Sequence, residues 1–397
     1  MISVDEALAQ VLEAAKPLPG ETVPLAAAMA RALTGPVIAA HDQPPFDASA
    51  MDGYAVRSED VSPGCTLRLV GTAQAGQRFS GMIGPGQCVR IFTGAPLPIG
   101  ADAVVMQEDV VANGNEIGFP QAVEAGHFVR PRGSVFAEGA ALLAPGTVLN
   151  AARLSLAALA NRASVRVARR PRLALLATGD ELVLPGAPLG PDQIVNSNSV
   201  GLAAMFANLA EVADHGIIRD TPAALGKALS AALDSGVDVL VTTGGASVGE
   251  RDYVRDVLRE LGVEIDFWQI AMRPGKPLMF GQRGATLVFG LPGNPVSALV
   301  TAMIFVLPAL RALARHADPV GLRLSLPLAA PLPANGIRRH FLRGRLEPTP
   351  RGSQVMPITE TDSAHVASLA GADVLIVQPE NDPGLPAGAV VEVVPLE

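Results

Sequence analysis

Five carboxylates stand just behind three apolar runs of this sequence. Asp180 and Glu181 follow residues 173–177, Asp220 follows 212–218, and Glu250 and Asp252 follow 237–243. Short apolar runs of this kind read as buried parallel strands. In an open parallel sheet the ligand sits beyond the carboxyl ends of the strands, so all five carboxylates are expected on one rim. A single aspartate there is often a helix cap, and Asp220 beside Thr221-Pro222 could serve as one. Five exceed what caps require. Donors that are all oxygen suit Mg²⁺ rather than zinc. The last two carboxylates share a loop with Gly244, Gly245 and Ser247 (GGASVGERD, 244–252). Adjacent glycines present bare N–H groups ahead of a helix, which favours an anion. Carboxylates in the same loop repel that anion unless a divalent cation lies between them. The combination predicts a metal-bridged polyanion site.

Opposite charge is available from Arg273 and Lys276 in RPGK. The chain carries 30 basic residues, and Lys16, Lys227 and Lys276 are its only lysines, so Lys276 departs from a strong arginine bias. GLPGNP (290–295) supplies a further helix start, with Asn294 as cap and Pro295 as the first helical residue. No Ser-His-Asp or Cys-His arrangement is present, and no histidine lies near Ser247, so nucleophilic catalysis by the protein is not expected.

The elements that must position these residues divide the chain. With 397 residues, 49% apolar and 17% charged, it is long enough for several cores. A net charge of −8 argues against general nucleic-acid binding, and two cysteines provide neither a zinc site nor a disulfide framework. The single basic run, 162–172, reads as a solvated linker face. Residues 1–15 read as a helix with a Ser3/Glu6 capping box rather than a signal peptide, which points to a cytoplasmic protein. A second apolar helical patch is expected over 25–33. Short β-type runs between Pro-Gly turns fill the stretch to about 148 and predict hairpins or a small barrel. Strands and helices alternate from 173 to about 314, predicting a parallel sheet covered on both faces. The most apolar segment, 298–310, reads as a core helix broken at Thr301 and Pro308, too short to span a bilayer. The tail reads as a small β-barrel or sandwich. The expected organisation is a helical linker domain (1–26 and 140–170), a β-rich domain (27–139), an α/β domain (171–317) and a C-terminal β-barrel domain (318–397).

PPFDASAMDGYAV (44–56), RIFTGAPLPIGADAVVMQED (90–109), TGDEL (178–182), TTGGASVGERDY (242–253), MRPGKP (272–277) and GLPGNPVSA (290–298) occur in this order. Together they resemble the molybdopterin molybdenumtransferase family, that of bacterial MoeA, which is similar to the E domain of gephyrin. The resemblance implies a multidomain α/β homodimer whose parallel-sheet domain binds molybdopterin. The implied substrates are molybdate and adenylylated molybdopterin, the products molybdenum cofactor and AMP, and the cofactor Mg²⁺. Implied partners are the molybdopterin adenylyltransferase that precedes it and the apo-molybdoenzymes that follow. The substrate's dithiolene supplies the nucleophilic sulfurs, which accounts for the missing protein nucleophile.

By the same resemblance, Glu181, Asp220 and Asp252 match the family's active-site carboxylates and would hold the metal. Ser247, Arg273 and Lys276 match its phosphate and oxyanion contacts, with Arg273 where the family often has lysine. Pro292 and Pro295 match its PGNP turn, and Arg338, Arg343 and Ser363 fall near residues of its C-terminal domain. Asp52 and Thr93 match residues that the partner subunit contributes. Val135 stands where the family pattern has an acid. A related adenylyltransferase or CinA-type enzyme would share the glycine loop, but AMDGY and TGAP count against both. A scaffold role like that of gephyrin would use the C-terminal domain.

Overall fold

The computed structural model describes residues 1–244, 253–350 and 352–396. Gly245, Ser247, Glu250 and Asp252 therefore lie outside the described residues.

The central sheet runs in the order Glu211–Ile218, Arg172–Thr178, Val239–Thr243, Thr286–Leu291, Met279–Arg283 and Glu264–Phe267. The first four strands pair in parallel. The last two pair antiparallel, so the sheet is mixed rather than parallel throughout. The cause is local: only Gly284 and Ala285 separate Met279–Arg283 from Thr286–Leu291, and so short a link permits only a hairpin.

Alternation along one strand decides which helices cover which face. Leu173 and Leu175 enter a core with Leu202, Phe206, Val300 and Phe305. Ala174 and Leu176 point the other way, toward Leu225, Leu229, Val257 and Leu258. The N-terminal helix Val4–Ala14 has its Ser3/Glu6 capping box and packs Val4, Ala7 and Val11 into the first of these cores. Residues 295–313 form one continuous helix, since neither Thr301 nor Pro308 breaks it; a five-residue π segment, Ala302–Val306, lies in its middle. Pro308 falls just inside the turn after that segment. This helix is long and apolar enough to cross a membrane, but 78% of its most apolar window is buried against the rest of the chain. The sequence reading makes it too short to span a bilayer; its 19 residues are long enough, and it is its burial that marks it as a core helix.

The β-rich region forms a six-stranded sheet that includes Gly53–Val56, Cys65–Ala73, Gln87–Ile91 and Ala103–Met106. Gly53 is required there, because a Cβ would lie 2.0 Å from the Val105 carbonyl oxygen. The tail forms antiparallel strands Leu324–Pro327, Arg339–Thr349, Gly352–Pro357, Val374–Gln378 and Val390–Pro395. A bridge from Leu328 to Val355 joins its two ends as a barrel. Met272–Arg273 leaves the α/β region to pair in parallel with Arg339 and His340 of this barrel.

Two local expectations do not hold. Residues 25–33 contain only a 3₁₀ turn, Leu25–Ala27, because Ala30 takes φ 60° and turns the chain out of helix. The basic run is not a solvated linker: Ser164–Ala168 pairs with Gly20–Pro24, and Arg169 forks onto Asp238 at 2.8 and 2.9 Å.

Candidate functional site

The carboxylate rim forms where two neighbouring parallel strands end. Thr178 pairs with Ile218, so the residues that follow each strand come out side by side. Asp220 N–H donates to Asp180 Oδ1 at 3.3 Å. Gly179 has φ 152°, and the Glu181 carboxylate folds back over it, occupying the space of a Cβ. Burial pushes the Asp220 carboxyl above its ordinary value, and the negative charges of Asp180 and Glu181 push it further; the Thr178 hydroxyl opposes them. Among the described residues, no three His, Cys, Asp or Glu side chains are grouped closely enough to hold a metal ion.

Opposite this rim, Arg273 and Lys276 are exposed on the turn between Met272–Arg273 and Met279–Arg283. Gly275 lets that turn lie against the core helix: its φ is 102°, and a Cβ would come 2.3 Å from Thr301 Cγ2. The two rims and part of the barrel enclose a cleft of about 760 Å³. Glu181, Asp220, Gly244, Arg273, Lys276 and Pro292 line it from the α/β side, and Arg338 and Ser363 from the barrel side. Positive charge lies behind this wall. His340 is 6% exposed, and burial together with Arg273, Arg343 and Arg338 pushes its imidazole down to about 4.

Four expected site residues stand elsewhere. Pro295 begins the core helix beside the cleft without lining it. Arg343 is 1% exposed and sits behind the cleft, donating to Ser368 Oγ at 3.1 Å and to the carbonyls of Glu360 and Asp362. It thereby fixes the 360–363 loop that forms the barrel's side of the cleft. Asp52 and Thr93 lie together in the β-rich region, where Thr93 donates through its N–H and hydroxyl to Asp52 Oδ1, both at 2.7 Å. These bonds hold the Asp52 carboxyl below its ordinary value. Neither residue lines the cleft. Val135 is 64% exposed.

Sequence reasoning missed the 360–363 loop apart from Ser363. Glu360, Thr361 and Asp362 also line the cleft, and Thr361 Oγ1 accepts from Arg273 at 3.3 Å. The polar run TETDS within an otherwise β-type tail was the available signal. Asn294 was expected to cap its helix, but its side chain makes no capping bond and donates instead to Ser363 Oγ at 2.8 Å.

A mixed-sheet α/β unit whose charged cleft is closed by a C-terminal barrel defines a multidomain α/β protein with a cleft for a charged ligand. Residues 2–160 match the MoeA N-terminal region (domain I and II), 174–312 the probable molybdopterin binding domain, and 325–396 the MoeA C-terminal region (domain IV). The chain is 35% identical over 97% of its length to molybdopterin molybdenumtransferase 2 of Mycobacterium tuberculosis, covering 96% of that protein. It is 43% identical to the molybdopterin molybdenumtransferase of Nostoc sp. over 76% of this chain and 71% of the relative. The crystal structure of a molybdopterin biosynthesis MoeA protein from Pyrococcus horikoshii superposes with a TM-score of 0.82 at 32% identity, covering 100% of this chain and 99% of that one. The chain belongs to the MoeA family of molybdopterin molybdenumtransferases. Its function lies in molybdenum cofactor biosynthesis.

Proposed function

We propose that the cleft binds adenylylated molybdopterin and molybdate, inserts the metal into the dithiolene and releases AMP. The observation that carries this reading is the charged cleft, with Glu181 and Asp220 on one rim, Arg273, Lys276 and Arg338 facing them, and Glu360 and Asp362 on the barrel loop. Bringing a phosphoanhydride and an oxyanion together sets two anions against each other. Arg273, Lys276 and Arg338 offset that repulsion and hold molybdate near the dithiol sulfurs. These sulfurs replace oxygens on molybdenum that leave as water with the thiol protons, while water adds across the cleaved phosphoanhydride to give AMP. Gly244 is required at the strand end, where φ is 82° and a Cβ would come 2.5 Å from the Thr178 carbonyl oxygen.

The donors of the opposite rim suit Mg²⁺ in chemistry, although the described side chains alone do not group three of them. The donors are all oxygen, and Asp220 carries an uncompensated excess of negative neighbours, which a divalent cation would neutralise. Glu181 and Asp220, with Asp252 by resemblance, would hold it. When bound, Mg²⁺ neutralises phosphate charge during cleavage of the anhydride.

On this reading the enzyme is a cytoplasmic homodimer, with Asp52 and Thr93 of each chain serving the cleft of the other. Their position away from the cleft of their own chain supports it. The test of function is incubation of the purified protein with adenylylated molybdopterin, molybdate and Mg²⁺. AMP release that depends on all three is expected; hydrolysis indifferent to molybdate would overturn the proposal.

A further inference from the structure

Asn294 occupies the N-cap position of the helix that begins at Pro295, with φ −64° and ψ 127°, yet its side chain does not cap. The first turn is served from outside the helix: Val296 N–H donates to the Ser363 carbonyl at 3.0 Å. That substitution releases the Asn294 amide, whose Nδ2 donates to Ser363 Oγ at 2.8 Å. Ser363 is therefore held at two points, its carbonyl by Val296 and its hydroxyl by Asn294, both at one helix start.

The direction of the second bond matters chemically. An amide N–H only donates, so it takes a lone pair of the Ser363 oxygen and leaves the hydroxyl hydrogen uncommitted. Among the described residues nothing accepts that hydrogen, and Ser363 lines the cleft from the barrel side together with Arg338, while Arg273 lines the same cleft from the α/β side. A serine held in this way keeps its hydroxyl hydrogen available to an acceptor in the cleft.

We infer that Asn294 is a positioning residue that sets Ser363 as a hydrogen-bond donor to the oxyanion in the cleft. The inference rests on the reading of the cleft as a molybdate site. It assigns to Asn294 a role in oxyanion affinity and not in helix stability, because the capping is already done by Ser363.

The test measures molybdate binding to the full-length chain by calorimetry, with thermal unfolding recorded for every variant. Asn294→Ala should weaken molybdate binding about tenfold, the effect of losing one charge-assisted hydrogen bond, while the unfolding temperature stays near that of the parent. Asn294→Asp keeps the shape but accepts the Ser363 hydrogen, so it should weaken binding at least as much. In a Ser363→Ala background either change should add little further, because the group being positioned is gone. Unchanged affinity in Asn294→Asp, or losses from Asn294→Ala and Ser363→Ala that simply add, would overturn the positioning role. A parent chain that binds no molybdate would instead sink the oxyanion reading of the cleft.

Discussion

His340 reports the character of the site at the scale of single residues. Buried among Arg273, Arg338 and Arg343, its imidazole titrates at about 4 in the fold, against an ordinary value near 6.5. His316 is lowered to about 4 as well, by burial and by Arg311. Both are thus neutral in the folded protein while the unfolded chain takes up protons below about pH 6.5. The linked stability is complete above that value and is lost as pH falls toward 4. Between about pH 7 and pH 5 the loss should be about 2 kcal/mol per histidine. Urea unfolding at both values checks this, and His340→Gln should flatten the slope by roughly one histidine's share. In the proposed function Lys276 contacts the oxyanion across the same cleft. Lys276→Ala should weaken molybdate binding by about 1–3 kcal/mol through the lost charged donor, and an unchanged affinity in calorimetry would return Lys276 to a solvated turn.

Among the elements, the turn carrying Arg273 and Lys276 is held in place by what it lacks. A side chain at Gly275 would meet both an unfavourable φ of 102° and Thr301 Cγ2 at 2.3 Å. Gly275→Ala should therefore cost about 2 kcal/mol or more. Gly284→Ala, at φ 59° with open space around it, should cost only about 1 kcal/mol. Guanidinium unfolding of the two variants tests the difference, and equal losses would remove the steric part of the argument. The rim was legible in the sequence because it depends on short-range pattern: apolar runs ended at Thr178 and Ile218, and carboxylates came next. Thr221 caps and Pro222 opens the following helix as their types dictate. What pattern did not reveal depends on partners distant in the chain. The hairpin of Met279–Arg283 and Thr286–Leu291 lies inside a region that otherwise alternates as parallel βα units. Asn294 has the type of a cap, and only the arrival of Ser363, 69 residues later, turns it to another use. Arg343 looks like an anion ligand in FLRGRL, and only its burial behind the 360–363 loop gives it a scaffold's place.

Across the whole molecule, each chain brings together the α/β rim and the barrel loop, but leaves Asp52 and Thr93 in turns of the β-rich region, bonded to each other and outside the cleft. The Asp52 carboxyl is held ionised by those bonds, and Asp52 and Thr93 are both exposed, so the pair is ordered and available to a second surface. In the proposed dimer that surface is the partner's cleft, and a symmetric interface makes the exchange mutual. Mixing Asp52→Ala chains with Asp220→Ala chains tests it, since each homodimer lacks one contribution at both sites. In a mixed dimer one site collects both defects and the other collects neither. Random exchange places half of the dimers in mixed form, so about a quarter of the parent's AMP release should return. Subunit exchange, followed with differently labelled chains, must be complete before the assay. If exchange is complete and activity stays at the level of the separate variants, Asp52 acts within its own chain or not at all, and the shared site is wrong. Dilution provides an independent reading: activity per chain should fall as dimers dissociate, and it should recover on concentration.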